Sequence, residues 1–104
     1  MPSWIPTVAV DDVDAEDVAP FHHGGTDYAI YRSPEGEFHA TAGFCTHEAE
    51  MLCRGFVIGT EIECPRHNGR FDYRTGRALG APALVDLQSF PTRVVDGVVE
   101  IYLT

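Results

Sequence analysis

The chain has 104 residues, enough for one domain with a modest core. Sixteen acidic residues against seven basic ones give a formal net charge of −9, which argues against nucleic acid and against an anionic membrane surface as partners. Three cysteines, with no signal-peptide pattern and no bilayer-length apolar run, speak for metal or redox chemistry in a cytoplasmic monomer and against a disulfide framework.

Hydrophobic periodicity is mostly two, turn residues are frequent, and no long amphipathic helix is visible. Trp4 to Val10 reads as an extended opening segment. Asp11 to Asp17 carries five acids and is expected to be a solvated loop or a single helical turn. The pair His22-His23, just before Gly24-Gly25, reads as a surface turn. Tyr28 to Arg32 and Phe38 to Ala42 form a predicted hairpin about Ser33-Pro34-Glu35-Gly36.

Phe56 to Ile58 and Glu61 to Cys64 make a second short pair about Gly59-Thr60, with Glu61 and Glu63 on one side and Ile62 and Cys64 on the other. Phe71 to Tyr73 is a strand that ends in the turn Arg74-Thr75-Gly76. Val85 to Phe90, Arg93 to Val95 and Val98 to Leu103 complete the chain, the last two joined at Asp96-Gly97. In the closing strand Val99, Ile101 and Leu103 share a face. The expected fold is one all-β domain over residues 1–104, a small antiparallel sandwich or barrel.

Two short motifs carry chemistry: Cys45-Thr46-His47 and Cys64-Pro65-Arg66-His67, with 16 residues between them. Each pairs a thiolate with an imidazole at a tip between strand-like segments, and together they make a four-ligand site. Tetrahedral zinc accepts the same donor set, so a zinc-stabilised interaction module is a rival reading. Zinc sites more often group Cys-x-x-Cys apart from His-x-x-x-His. Cys53 has no partner cysteine once these ligands are assigned and reads as a small buried hydrophobe. A facial triad from His22, His23 or His39 with Asp27 would make the chain itself an oxygenase, but the domain is too small to enclose a substrate as well.

Cys-x-His followed about sixteen residues later by Cys-x-x-His resembles the Rieske signature. The resemblance continues through Asn68-Gly69-Arg70-Phe71-Asp72 and into Gly80-Ala81-Pro82, where that family has a proline-bearing loop over its cluster. It covers nearly the whole chain and looks closest to the ferredoxins of bacterial Rieske non-haem, aromatic-ring-hydroxylating oxygenases, including the ferredoxin-like group of rhizopine catabolism. This implies a Rieske-type fold with a two-loop cluster-binding part over about residues 43–83. It also implies one [2Fe–2S] cluster, with Cys45 and Cys64 on one iron and His47 and His67 on the other.

The chain would then be a one-electron carrier and not itself an enzyme. A flavin-dependent NAD(P)H reductase would load it and a terminal oxygenase would unload it, both through transient docking. A small subunit of a nitrite reductase, similar in fold, is the alternative role.

Neutral imidazoles in place of two thiolates lower the opposition to reduction, which puts such clusters at about −150 to +300 mV against about −400 mV for plant-type ones. Respiratory relatives resemble one another in an interloop disulfide and in serine and tyrosine hydroxyls that donate to the cluster. Here Glu50, Arg66, Gly69 and Phe71 occupy those positions, so a potential at the low end of the range is expected. Arg66 and Asn68 flank His67 as candidate partner contacts, Asp72 and Arg74 are expected to brace the loop, and Phe44 and Pro82 to shield the cluster. Trp4 is expected in core or interface packing.

Overall fold

The computed structural model describes residues 2–46, 50–65, 69–81, 83 and 85–104. Eleven strands are described: β1 Ser3–Ala9, β2 Asp17–His23, β3 Thr26–Arg32, β4 Phe38–Ala42, β5 Phe56–Ile58, β6 Glu61–Glu63, β7 Arg70–Asp72, β8 Arg77–Gly80, β9 Ser89–Phe90, β10 Thr92–Val95 and β11 Val98–Leu103. They form three antiparallel sheets ordered β1-β11-β10, β2-β3-β4-β9 and β5-β6-β7-β8. The all-β reading stands.

The first two sheets make a base. Their alternation buries Tyr28, Ile30 and Ala40 from one sheet against Val99 and Ile101 from the other, with Ile5, Phe21 and Phe90 packed around them. The β10–β11 hairpin turns at Asp96 (φ 50°) and Gly97 (φ 77°), the two left-handed residues that a tight primed turn demands. Trp4 is not core: it pairs with Tyr102 across β1 and β11, edge to face at 5.2 Å, and lies under the Arg93 guanidinium at 4.3 Å.

The third sheet is inserted between β4 and β9 and carries the second core. Tyr31, Leu52, Ile62, Phe71, Tyr73 and Leu87 pack there with Cys45 and Cys64. Tyr31 and Tyr73 stack at 4.5 Å between centroids, with their planes 5° apart, which ties the base to the inserted sheet. The β5–β6 turn is fixed from both sides: the Tyr73 hydroxyl donates to the Gly59 carbonyl at 2.7 Å, and the Gly59 N–H donates to the Glu16 carboxylate at 2.7 Å.

Three expectations change. Asp17–His23 is a full strand, so His22 and His23 end β2 instead of forming a turn; Pro20 and a weak apolar alternation mask it, and pairing along its whole length with β3 overrides them. Val85 to Phe90 shrinks to the two residues of β9, because Leu87 N–H bonds Gly76 O and Asp86 accepts from Ala78 N–H, which takes that stretch out of any ladder. Arg77–Gly80 is a strand the sequence reading omitted. The acidic run begins as a short 3-10 turn, Val10–Asp12, as expected.

Candidate metal centre

The first cysteine loop follows β4 of the base, the second joins β6 to β7 of the inserted sheet, and each is closed at its root by the same backbone bond. The Cys45 N–H donates to the Glu50 carbonyl at 2.9 Å, and the Cys64 N–H donates to the Gly69 carbonyl at 2.7 Å. Both bonds reach five residues forward, so each loop has its cysteine at the root. Below the first loop, Phe44 bridges Met51 and the Leu52 N–H donates to Gly43 O at 2.9 Å. Below the second, β6 and β7 pair as Glu63 with Arg70.

Both cysteines are buried, Cys45 at 4% and Cys64 at 0% exposure, and both belong to one apolar cluster. Two soft donors buried in one apolar cluster, each at the root of its own loop, fit a thiophilic metal group. His47 and His67, the nitrogen donors read from the sequence, lie outside the described residues, as do Arg66, Asn68 and Pro82.

The segment after β8 meets the first loop. Gly80 bridges Ala83, whose N–H donates to Gly80 O at 2.9 Å, and the Thr46 hydroxyl donates to Val85 O at 2.6 Å. That last bond links the residue between Cys45 and His47 to the loop expected to cover the cluster. The sequence reading assigned Thr46 no role; its hydroxyl beside a candidate ligand was the available signal. Phe44 is 40% exposed and covers the loop root only in part.

Asp72 and Arg74 pair locally, through Arg74 Nη2 to Asp72 Oδ2 at 2.9 Å and Arg74 N–H to Asp72 Oδ1 at 3.0 Å, but they brace the β7–β8 turn, at the other end of β7 from the cysteine loop. The guanidinium holds the Asp72 carboxyl below its ordinary range. Gly69 is buried and Phe71 fully so, and neither offers a side-chain donor.

The other histidines stand apart from this arrangement. His22 is exposed and bonds Asp27 at 2.9 Å across the β2–β3 hairpin, and His23 stacks on Phe21. His39 rests against Tyr73 with centroids 5.6 Å apart; burial lowers its pKa, with Glu37 pulling the other way. Cys53 is half-buried in the 3-10 turn Leu52–Arg54, in keeping with a structural thiol.

The model of the Rieske [2Fe–2S] domain matches residues 3–91. The chain belongs to the Rieske family. Among its relatives is the ferredoxin component of the naphthalene 1,2-dioxygenase/salicylate 5-hydroxylase systems of a Ralstonia species, 41% identical over 92 residues and 88% of each chain. Among solved structures, a Sphingomonas yanoikuyae B1 ferredoxin superposes with a TM-score of 0.92 at 31% identity, over 98% of this chain and all of that one. A ferredoxin chain from a complex of reduced oxygenase and oxidised ferredoxin of carbazole 1,9a-dioxygenase superposes with a TM-score of 0.88 at 32% identity, over 94% and 91% of the two chains. The cofactor of this Rieske protein is one [2Fe–2S] cluster, and its chemistry is that of a ferredoxin, an electron carrier and not a catalyst of bond making.

Proposed function

We propose that this Rieske ferredoxin takes single electrons from a flavin-dependent NAD(P)H reductase and passes them to a terminal Rieske non-haem iron oxygenase. Cys45 and Cys64 hold one iron of the cluster, and His47 and His67 hold the other. The observation that carries the ligand assignment is the matched pair of loop roots: two buried cysteines, each locked by a bond from its own N–H to the fifth residue on. The histidines follow from the spacing of the motifs inside those loops. When bound, the cluster supplies one reversible electron at a potential tuned by its mixed ligands.

The oxygenase as electron acceptor is supported by relatives that are components of dioxygenase systems and by the carbazole dioxygenase complex. The carrier works as a monomer in the cytoplasm, its net charge of −9 opposing self-association. Docking is brief and salt-sensitive, because a carrier must leave to collect its next electron. Residues 1–104 act as one Rieske domain, with the cluster-binding part over about 43–83.

The test is anaerobic reduction of the purified protein followed by electron paramagnetic resonance, with iron and acid-labile sulfide measured on the same sample. A rhombic signal of low average g and two irons per chain are expected. A colourless protein without labile sulfide, prepared with adequate iron, refutes the reading.

A further inference from the structure

The face of the inserted sheet that points away from its core carries neither of the buried cysteines. Register places Phe56, Glu63 and Arg70 in one row across β5, β6 and β7, and Ile58, Glu61 and Asp72 in the next. The alternate residues Ile62 and Phe71 are buried, and Val57 packs against them, so both rows lie on the outer side. Phe56 and Ile58 are each 61% exposed, two apart on an edge strand, and line a groove of about 260 Å³ with Glu61, Glu63 and Arg70. Large apolar side chains left in water side by side on a small domain mark a contact surface.

Charge selects the occupant. Arg70 is engaged by Glu61 at 3.2 Å, and Glu63 has no ion-pair partner among the described residues. The groove is therefore edged by uncompensated acid on a chain of charge −9. A second copy would bring the same acid against it, and nucleic acid or anionic lipid would be repelled.

The face also reaches the cluster loops: Glu63 immediately precedes Cys64, and Arg70 immediately follows Gly69, the two residues that close the second loop. We propose that this outer face, built on Phe56 and Ile58 and edged by Glu61 and Glu63, docks an electron-accepting protein whose own apolar contact is ringed by lysine or arginine. The proposal rests on the reading of the chain as an electron carrier.

The test uses the cluster-loaded protein, reduced with dithionite, and oxidised cytochrome c as an acceptor of that chemistry, with stopped-flow rates followed over ionic strength. The double variant Phe56→Ser/Ile58→Thr is expected to keep its absorption, paramagnetic signal and dithionite reduction but to transfer about tenfold more slowly. Glu63→Gln is expected to lower the rate about twofold at low salt and to flatten its salt dependence. Asp96→Asn, in the β10–β11 turn, is the charge control and leaves the rate unchanged. Wild-type transfer rates in the double variant, or an equal loss in Asp96→Asn, overturn the docking face while the carrier reading survives. A wild-type protein that holds a reduced cluster yet passes no electron to the acceptor overturns the carrier reading itself.

Discussion

Gly43 sets where the first cysteine loop departs. It is buried at the end of β4, its N–H donates to the Asp27 carbonyl at 2.9 Å, and its own carbonyl accepts from Leu52 at 2.9 Å. A Cβ at this position would stand 2.8 Å from the Asp27 carbonyl carbon, 2.9 Å from its oxygen and 3.0 Å from the Tyr28 nitrogen. All three are backbone atoms held in the β2-β3-β4 ladder, so no side chain can swing aside. Ordinary contact begins near 3.4 Å, and the difference from 2.8 Å is the distance by which loop and strand must part.

Gly43→Ala is therefore expected to cost about 2 kcal/mol, the middle of the range for a methyl forced into packed structure. At roughly 4–8 °C per kcal/mol for a domain near this size, the melting temperature should fall by about 10 °C. Cys45 lies two residues on, so iron content should fall with it. Gly80→Ala is the control: a Cβ there meets nothing within 4 Å, and its effect should stay within about 0.5 kcal/mol. Thermal denaturation followed by circular dichroism, with iron assayed per chain, reads both. A Gly43→Ala protein that melts within 2 °C of wild type, on the order of a few tenths of a kcal/mol, and binds its full iron refutes the argument.

Thr46→Val removes the hydroxyl bond to Val85 and should cost about 1 kcal/mol. Chelator-driven bleaching of the visible absorption should then be faster than in wild type. Burial pushes the Tyr73 phenol up to about 12 and raises Tyr31 as well, against about 10 in the unfolded chain. A raised phenol contributes stability that is complete below the unfolded value and lost as pH rises through the folded one. Ultraviolet titration should accordingly show these two tyrosines ionising only as the protein opens above about pH 10.

His39 behaves oppositely: its folded pKa lies below 6.5, so its contribution is complete above 6.5 and declines as pH falls through the lowered value. His39→Ala should flatten the acid side of the stability profile and keep the cluster, whereas His47→Ala or His67→Ala should abolish it. Loss of the cluster in His39→Ala would show the ligand assignment to be mistaken.

The hairpins were legible because each carried its own instructions. Asp96-Gly97 between Val95 and Val98 encodes a primed turn, and the Val99, Ile101, Leu103 alternation says which side is buried. The cysteine motifs pointed to the family because soft donors at that spacing have few other uses. Strand β2 was hidden because its residues are held by pairing with β3 and not by their own pattern; Asp17, Pro20, His22 and His23 all face water. The stretch Val85 to Gln88 was misread for the converse reason: it has strand-forming residues, but Asp86 and Leu87 spend their bonds on the Gly76 turn and β8. The closing bonds of the two cysteine loops connect main-chain atoms, and main-chain pairing leaves no trace in residue identity.

Those closing bonds bear on how a carrier this small can work. An electron carrier must change charge without rearranging its ligands, and a ligand is held still only by what surrounds it. In 104 residues there is no thick shell to supply that stiffness, and the loops must obtain it locally. Fixing each cysteine by its own N–H to a carbonyl five residues on makes every loop a closed ring before any side chain packs. The Thr46–Val85 bond then joins the first ring to the segment after β8, and the Tyr31–Tyr73 stack fixes the whole insertion to the base. Lengthening either ring by one glycine, at 49/50 or 68/69, would leave the spacing within each motif and the charge unchanged and break only the register of closure. Such insertions should leave the base folded, with its β10–β11 and β2–β3 hairpins protected from hydrogen exchange, while the cluster is lost; a cluster retained at wild-type yield would mean that packing, and not ring closure, holds the cysteines.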